Sequence, residues 1–232
     1  MPILLLIRHA TNDYVKTGRL PGQAPNIHLN EEGRSQAQAL AGLLEKQPIA
    51  AVYASHLERA IETAWRIAAP RGLPITIRPG LADTNAGDYT GRLIKELGES
   101  PETKDNWKTI VEKPSEGRLP NGESLVEMQA RVVAELECIC AAHPDPEPPK
   151  PPEPKPEPDA TGEAPKPPAE AERKPPVMIA VVMHNDPIKA AVAHFLGMPL
   201  DNFQRIGASP ASVSTVMVMK GHVMLVNLNQ VV

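Results

Sequence analysis

Two stretches of the chain are apolar without alternation, Ile3 to Ile7 and Val177 to Met183. Alternating apolar and polar residues mark a strand with one wet face. An unbroken run of Ile, Leu and Val marks a strand covered on both faces, as in a parallel sheet sandwiched between helices. Ala50 to Ala54 and Ile75-Thr76-Ile77 read as shorter strands. Between these runs the apolar period lengthens to that of a helix. Ala37, Leu40, Ala41 and Leu44 recur behind Asn30, a predicted N-cap followed by Glu31 and Glu32 in the first turn. Ser55 with Glu58 three residues later predicts a capping box at the start of the next helix. Asn121-Gly122-Glu123-Ser124 opens a long helix with Leu125, Met128, Val132, Leu136 and Ile139 on one face, and residues 92 to 121 read as one or two short helices with loops. Asp186-Pro187 predicts one more helix start, Asp as N-cap and Pro in the first turn. Val213 to Met219 and Val223 to Leu228 form a closing hairpin through Lys220-Gly221-His222. Strands alternating with helices predict the α/β class, a three-layer sandwich with a mostly parallel central sheet flanked by helices.

From Pro144 to Pro176 this patterning stops, and the chain becomes almost entirely Pro, Glu, Lys, Ala and Asp. Such a segment has nothing to bury and is expected to be extended, polyproline-II-like or disordered. It separates the long helix from the strand at Val177. Residues 1–232 are therefore read as one domain, with 144–176 as an insertion inside it.

Composition narrows the function classes. A formal net charge of -4, with no basic stripe interleaved with aromatics, argues against nucleic acid as a partner. Cys138 and Cys140 are the only cysteines, two apart on the predicted long helix, so they face different ways and are expected to be buried, unpaired residues of a reducing compartment. The opening apolar run is too short to span a membrane and lacks the flanks of a signal peptide, so a cytoplasmic location without membrane association is expected.

In open α/β sheets, ligands bind beyond the carboxyl ends of the strands. The first long strand ends in Arg8-His9-Ala10, the second in His184-Asn185-Asp186, and the strand between them leads to a helix whose first turn carries Arg59. Two guanidinium groups suit a phosphate dianion, because the planar fork matches its oxygens. A neutral histidine becomes a nucleophile when its second ring proton is held by an acceptor. The other histidines, His28, His56, His143, His194 and His222, show no metal-ligand spacing.

Four motifs in this order resemble the histidine phosphatase superfamily, the phosphoglycerate-mutase-like proteins. They are Arg8-His9-Ala10, Ser55-His56-Leu57-Glu58-Arg59-Ala60-Ile61-Glu62-Thr63, Leu81-Ala82-Asp83 leading to Gly87-Asp88-Tyr89-Thr90-Gly91, and Val182-Met183-His184. The resemblance implies hydrolysis of a phosphomonoester of a small metabolite through a phosphohistidine on His9. It implies that Asp83 stands where the family carries Glu as the proton donor, and that His184 binds phosphate. Arg8, Asn12, Arg59 and Asn185 complete the implied phosphate site, and no metal or cofactor is called for. Asp186 competes as the acid, being close to the second histidine; its capping role favours Asp83. A phosphoglycerate-type mutase is the alternative reading, disfavoured because residues 92 to 121 form only a short region after the acid. A binding module that offers the proline-rich segment to a polyproline-reading partner is the alternative from another class. The sequence leaves a homodimer open.

Overall fold

The computed structural model describes residues 2–144, 176–219 and 222–231; apart from its ends, the proline-rich segment lies outside them. One six-stranded sheet runs through the molecule, with strands β1 (Ile3–Arg8), β2 (Ile49–Ala54), β3 (Ile75–Ile77), β4 (Met178–Met183), β5 (Val213–Met219) and β6 (His222–Gln230) in the order β3-β2-β4-β1-β5-β6. β3, β2, β4 and β1 are mutually parallel; β5 runs antiparallel to β1, and β6 antiparallel to β5. The mostly parallel three-layer sandwich expected from the apolar runs is what forms.

Side-chain alternation along β1 builds two cores. Leu4 and Leu6 point to the layer containing α6 (Leu125–Ala141) and α7 (Asn185–Phe195), where Met128, Val132, Leu136 and Ile139 are fully buried. Ile3, Leu5 and Ile7 point to the layer of α2 (Glu31–Leu43) and α3 (Glu58–Ala68), against Ala37, Leu40, Ala60, Ala64 and Ile67. Small residues on α2 and α3 let these helices lie close on the strand ends. Gly33 shows how close: a Cβ there would come within 1.9 Å of the Thr11 carbonyl oxygen, so any larger residue would push α2 off the loop after β1.

Register brings the chemistry together. Arg8 pairs with Met183, and Ala54 pairs with Val182, so the three strands end level with one another. His9 N–H donates to Met183 O at 3.0 Å and Ser55 N–H to Val182 O at 3.0 Å, carrying the alignment one residue past the strands.

The N-cap Asn30 is as expected, its side chain accepting from Gly33 N–H, and α6 starts with a capping box between Ser124 and Glu127. Residues 92 to 121 contain α4 (Ile94–Glu99) and α5 (Lys104–Glu112), and a short α1 (Asp13–Lys16) follows β1. Four expectations are corrected. α3 begins at Glu58 with Leu57 at its N-cap and no side-chain cap, so Ser55 and Glu58 form no capping box; the Ser55 hydroxyl is engaged with His184 instead. α7 begins at Asn185 with His184 at its N-cap, which places Asp186 inside the first turn, where its carboxylate takes Lys189. Cys138 is exposed and Cys140 half-buried, because α6 turns its C-terminal half partly to solvent; both are free thiols. β6 extends to Gln230, beyond the predicted end at Leu228.

Candidate active site

The loops after β1, β2 and β4, with that after β3, converge at the carboxyl edge of the parallel strands. His9 and His184 lie side by side, ring centroids 5.1 Å apart and tilted by 59°. His9, Arg59, His184, Asn12 and Ser55 are all essentially inaccessible, and Asp83 keeps 13 % of its side chain exposed.

His9 Nδ1 lies 2.8 Å from the Ala10 carbonyl oxygen. A carbonyl only accepts, so Nδ1 carries the proton and Nε2 the lone pair. Burial lowers the His9 pKa well below the usual histidine value, and the neighbouring charges of Arg59 and Arg8 lower it further, so the ring is neutral. The loop carrying it is tied to α3: Ala10 N–H donates to Thr63 Oγ1 at 3.1 Å, and Thr63 Oγ1 donates to Arg59 O at 2.7 Å.

Arg8 is held by Ala208 O at 2.6 Å and Asn185 Oδ1 at 3.4 Å. Arg59 uses one terminal nitrogen twice, donating to Gly22 O at 2.7 Å and Asp83 Oδ2 at 3.1 Å. Gly22 has a positive φ of 50°, and a Cβ there would stand 2.9 Å from that of Ala86, so only glycine presents its carbonyl to Arg59 without strain. Glu62, three residues along the helix from Arg59, binds His28 instead.

Asp83 Oδ1 accepts from Thr84 N–H at 3.0 Å, and Oδ2 lies 3.6 Å from His184 Nδ1. Burial raises the Asp83 pKa above the ordinary carboxylate value, outweighing the opposing pull of Arg59. His184 is driven well below the usual value by burial first and then by Arg59, His9 and Arg8. Its Nε2 lies 2.9 Å from Ser55 Oγ.

Buried polar atoms normally have partners. Here Arg8 Nε, Asn12 Nδ2, Arg59 Nε and Nη1, and His184 Nδ1 have none among the described residues. With Nδ1 of His184 protonated, all five are N–H donors, and they belong to side chains at the same strand ends as His9. A cluster of unpartnered donors, three of them on two guanidinium groups, is built for an anion with several oxygens. The N-terminus of α7 adds further backbone N–H groups beside it.

The predicted residues therefore come together, with two changes of detail. Asn185 spends its side chain on neighbours, Oδ1 accepting from Arg8 Nη1 at 3.4 Å and Nδ2 donating to Asp186 Oδ1 at 3.0 Å. Asn12 spends its side-chain oxygen on capping α1 through Val15 N–H at 2.9 Å, which leaves its Nδ2 as the donor. Asp186 is occupied by Lys189 and Asn185 and does not reach His184 in the way Asp83 does. Sequence reasoning missed Ser55, Gln23, Glu123 and Arg131. Gln23 Nε2 donates to Asp83 O at 2.8 Å, and Arg131 pairs with Glu123 beneath the same loop. The signals were the Ser55 position, read as a cap, and Asn121-Gly122-Glu123-Ser124, read as a helix start. The surface cleft lined by Glu137, Cys140, His194 and Phe195 lies at the other edge of the sheet, away from this chemistry.

The geometry has close relatives. The chain is 26 % identical over 227 residues to phosphoserine phosphatase 1 of Hydrogenobacter thermophilus, covering 97 % of this chain and 91 % of that protein. It is 29 % identical over 208 residues to glucosyl-3-phosphoglycerate phosphatase of Mycobacterium tuberculosis, covering 88 % and 79 %. The solved structure of a mycobacterial glucosyl-3-phosphoglycerate phosphatase complexed with VO3 superposes with a TM-score of 0.74 at 25 % identity, over 98 % of both chains. The sequence pattern of the histidine phosphatase superfamily, branch 1, matches residues 4–147 and 168–231, reaching into both ends of the proline-rich stretch, and the chain belongs to that superfamily.

Proposed function

We propose that this phosphatase hydrolyses phosphomonoesters of small metabolites through a phosphohistidine on His9. The observation that carries the reading is the set of unpartnered buried donors on Arg8, Asn12, Arg59 and His184 at the same strand ends as a histidine whose Nε2 is free and neutral. His9 Nε2 forms the bond to phosphorus while the bond from phosphorus to the ester oxygen breaks. Asp83, whose raised pKa favours the protonated form, gives its proton to that leaving oxygen. The resulting carboxylate then takes a proton from water as the water oxygen attacks phosphorus and the phosphorus–nitrogen bond breaks, returning neutral His9 and releasing phosphate. The Nδ1 proton stays with the Ala10 carbonyl throughout. Charge on the equatorial oxygens is met by Arg8, Arg59, His184 and Asn12, so the route draws on side chains and calls on no metal or cofactor.

The relatives named above act on phosphoserine and on glucosyl-3-phosphoglycerate, both phosphoesters close to a carboxylate, and this chain is proposed to take small phosphorylated metabolites of that general size. Between the acid and α6 it has only two short helices, α4 and α5, which fits hydrolysis better than the mutase reading. One domain carrying residues 144–176 as an insertion remains our reading of the chain. Two free thiols fit a reducing, cytoplasmic setting, and no described helix is long and apolar enough to cross a membrane. The test is a screen of phosphorylated metabolites with wild type and His9→Ala: release of phosphate from at least one by wild type and none by the variant supports the reading, and equal release by both refutes it.

A further inference from the structure

Asp83 is one methylene shorter than the Glu of its family, and it sits on a loop with no regular structure. Its reach therefore depends on where the backbone is held. That backbone is held by Gln23, whose Nε2 donates to Asp83 O at 2.8 Å, and by one ion pair from α6 and the turn before it. Arg131 Nη1 donates to Gly80 O at 2.8 Å and Ala82 O at 3.1 Å, and Nη2 to Asp83 O at 3.3 Å. The same guanidinium pairs with Glu123, Nη2 to Oε1 at 2.7 Å and Nε to Oε2 at 3.3 Å. Glu123 Oε1 in turn accepts from Asn85 N–H at 2.7 Å, and Glu123 N–H donates to Asn85 O at 3.1 Å. Backbone groups at residues 80, 82, 83 and 85 thus all meet Arg131 or Glu123, both largely buried, with 26 % and 15 % of their side chains exposed. Neither touches His9 or Arg59, so neither has a place in the proposed chemical steps.

We infer that Arg131 and Glu123 are positioning residues that set the distance of the Asp83 carboxyl from the leaving oxygen. The inference rests on Asp83 being the acid. A guanidinium suits the task because its five donors lie in one plane and can serve several carbonyls at once; a lysine ammonium serves fewer and fixes them less rigidly. A displaced acid slows the step that needs a proton and spares the step that does not. The loss is therefore selective for poor leaving groups, whereas general loosening of the fold would slow all substrates alike.

The experiment compares kcat/KM for an alkyl phosphate and for p-nitrophenyl phosphate in wild type, Arg131→Gln, Arg131→Lys, Glu123→Gln and Asp83→Asn. Arg131→Gln is expected to lose on the order of tenfold to a hundredfold on the alkyl ester, the effect of a misplacement near 1 Å, with a much smaller loss on the aryl ester. Arg131→Lys, which keeps the charge and serves if the Gln variant does not fold, is expected to fall between. Asp83→Asn must show the same selectivity more strongly. If it does while both Arg131 variants and Glu123→Gln lose the two activities by equal factors, or lose neither, the positioning role is overturned and the acid assignment stands. If Asp83→Asn itself is unselective, the acid assignment fails and the inference falls with it.

Discussion

Replacing Ser55 by alanine tests how much of the site depends on a residue that no charge or metal pattern marks. Ser55 is fully buried; its Oγ accepts from Leu57 N–H at 3.3 Å and lies 2.9 Å from His184 Nε2. Among the described residues the hydroxyl proton has no acceptor other than His184 Nε2. That fixes the tautomer, since Nε2 accepts, Nδ1 carries the proton, and Nδ1 is the unpartnered donor of the anion site. Alanine would leave two buried groups unsatisfied, a cost of about 1–3 kcal/mol. For a chain of this size each kcal/mol lowers Tm by roughly 2–4 °C, so a drop of several degrees is expected by calorimetry. Catalysis suffers separately, because His184 then has no reason to keep its proton on Nδ1. If about 1–2 kcal/mol of transition-state orientation is lost, kcat/KM falls roughly five- to thirtyfold. A Ser55→Ala protein whose Tm falls while kcat/KM stays within twofold of wild type would show that Ser55 serves the fold alone and that the tautomer argument is wrong.

Removing Arg59 takes away a buried cation and two free donors; Arg59→Ala is expected to lose on the order of a hundredfold or more in kcat, and a loss of only a fewfold would remove it from the phosphate site. The folded-state pKa values of His9 and His184 are depressed, so the unfolded chain binds more protons as pH falls below about 6.5. Stability is thus fully present above that pH and declines on acidification, by up to about 1.4 kcal/mol per pH unit for each histidine; urea titrations between pH 7 and 5 should show the slope, with a shallower one in His9→Ala, and an unchanged slope would contradict the burial argument. Excising Glu147 to Lys174 is expected to leave activity and Tm nearly unchanged, since a long loop adds little closure cost; a large loss in either would show that the segment takes part in the site or the fold.

The sheet was legible because β1 and β4 are covered on both faces, and double coverage writes itself as an unbroken apolar run. His9 and His184 were legible for a related reason: polar residues directly after such runs have to stand at the strand ends, and Arg59 follows in the first turn of the helix after β2. Ser55 and Asp186 were misread because a hydroxyl or carboxylate before a helix looks the same whether it caps that helix or binds another side chain. The difference lies in a partner far away in sequence, His184 for Ser55, which only the alignment of β2 with β4 brings near. Arg131 was invisible for the same reason. It occupies an ordinary polar position on α6, and its partners at Gly80, Ala82 and Asp83 are backbone carbonyls that leave no trace in the sequence. The two cysteines show the reverse limit, since hydropathy alone expected them buried and the end of α6 leaves Cys138 in solvent.

In the proposed reaction phosphorus becomes bonded to His9. Rapid quenching of the enzyme with a substrate labelled in its phosphoryl group, followed by peptide mapping under alkaline conditions that preserve phosphohistidine, tests it most directly. Label is expected on the peptide bearing His9, formed at a rate no slower than turnover and absent in His9→Ala. Turnover in wild type with no label on His9, or undiminished labelling in His9→Ala, would contradict it.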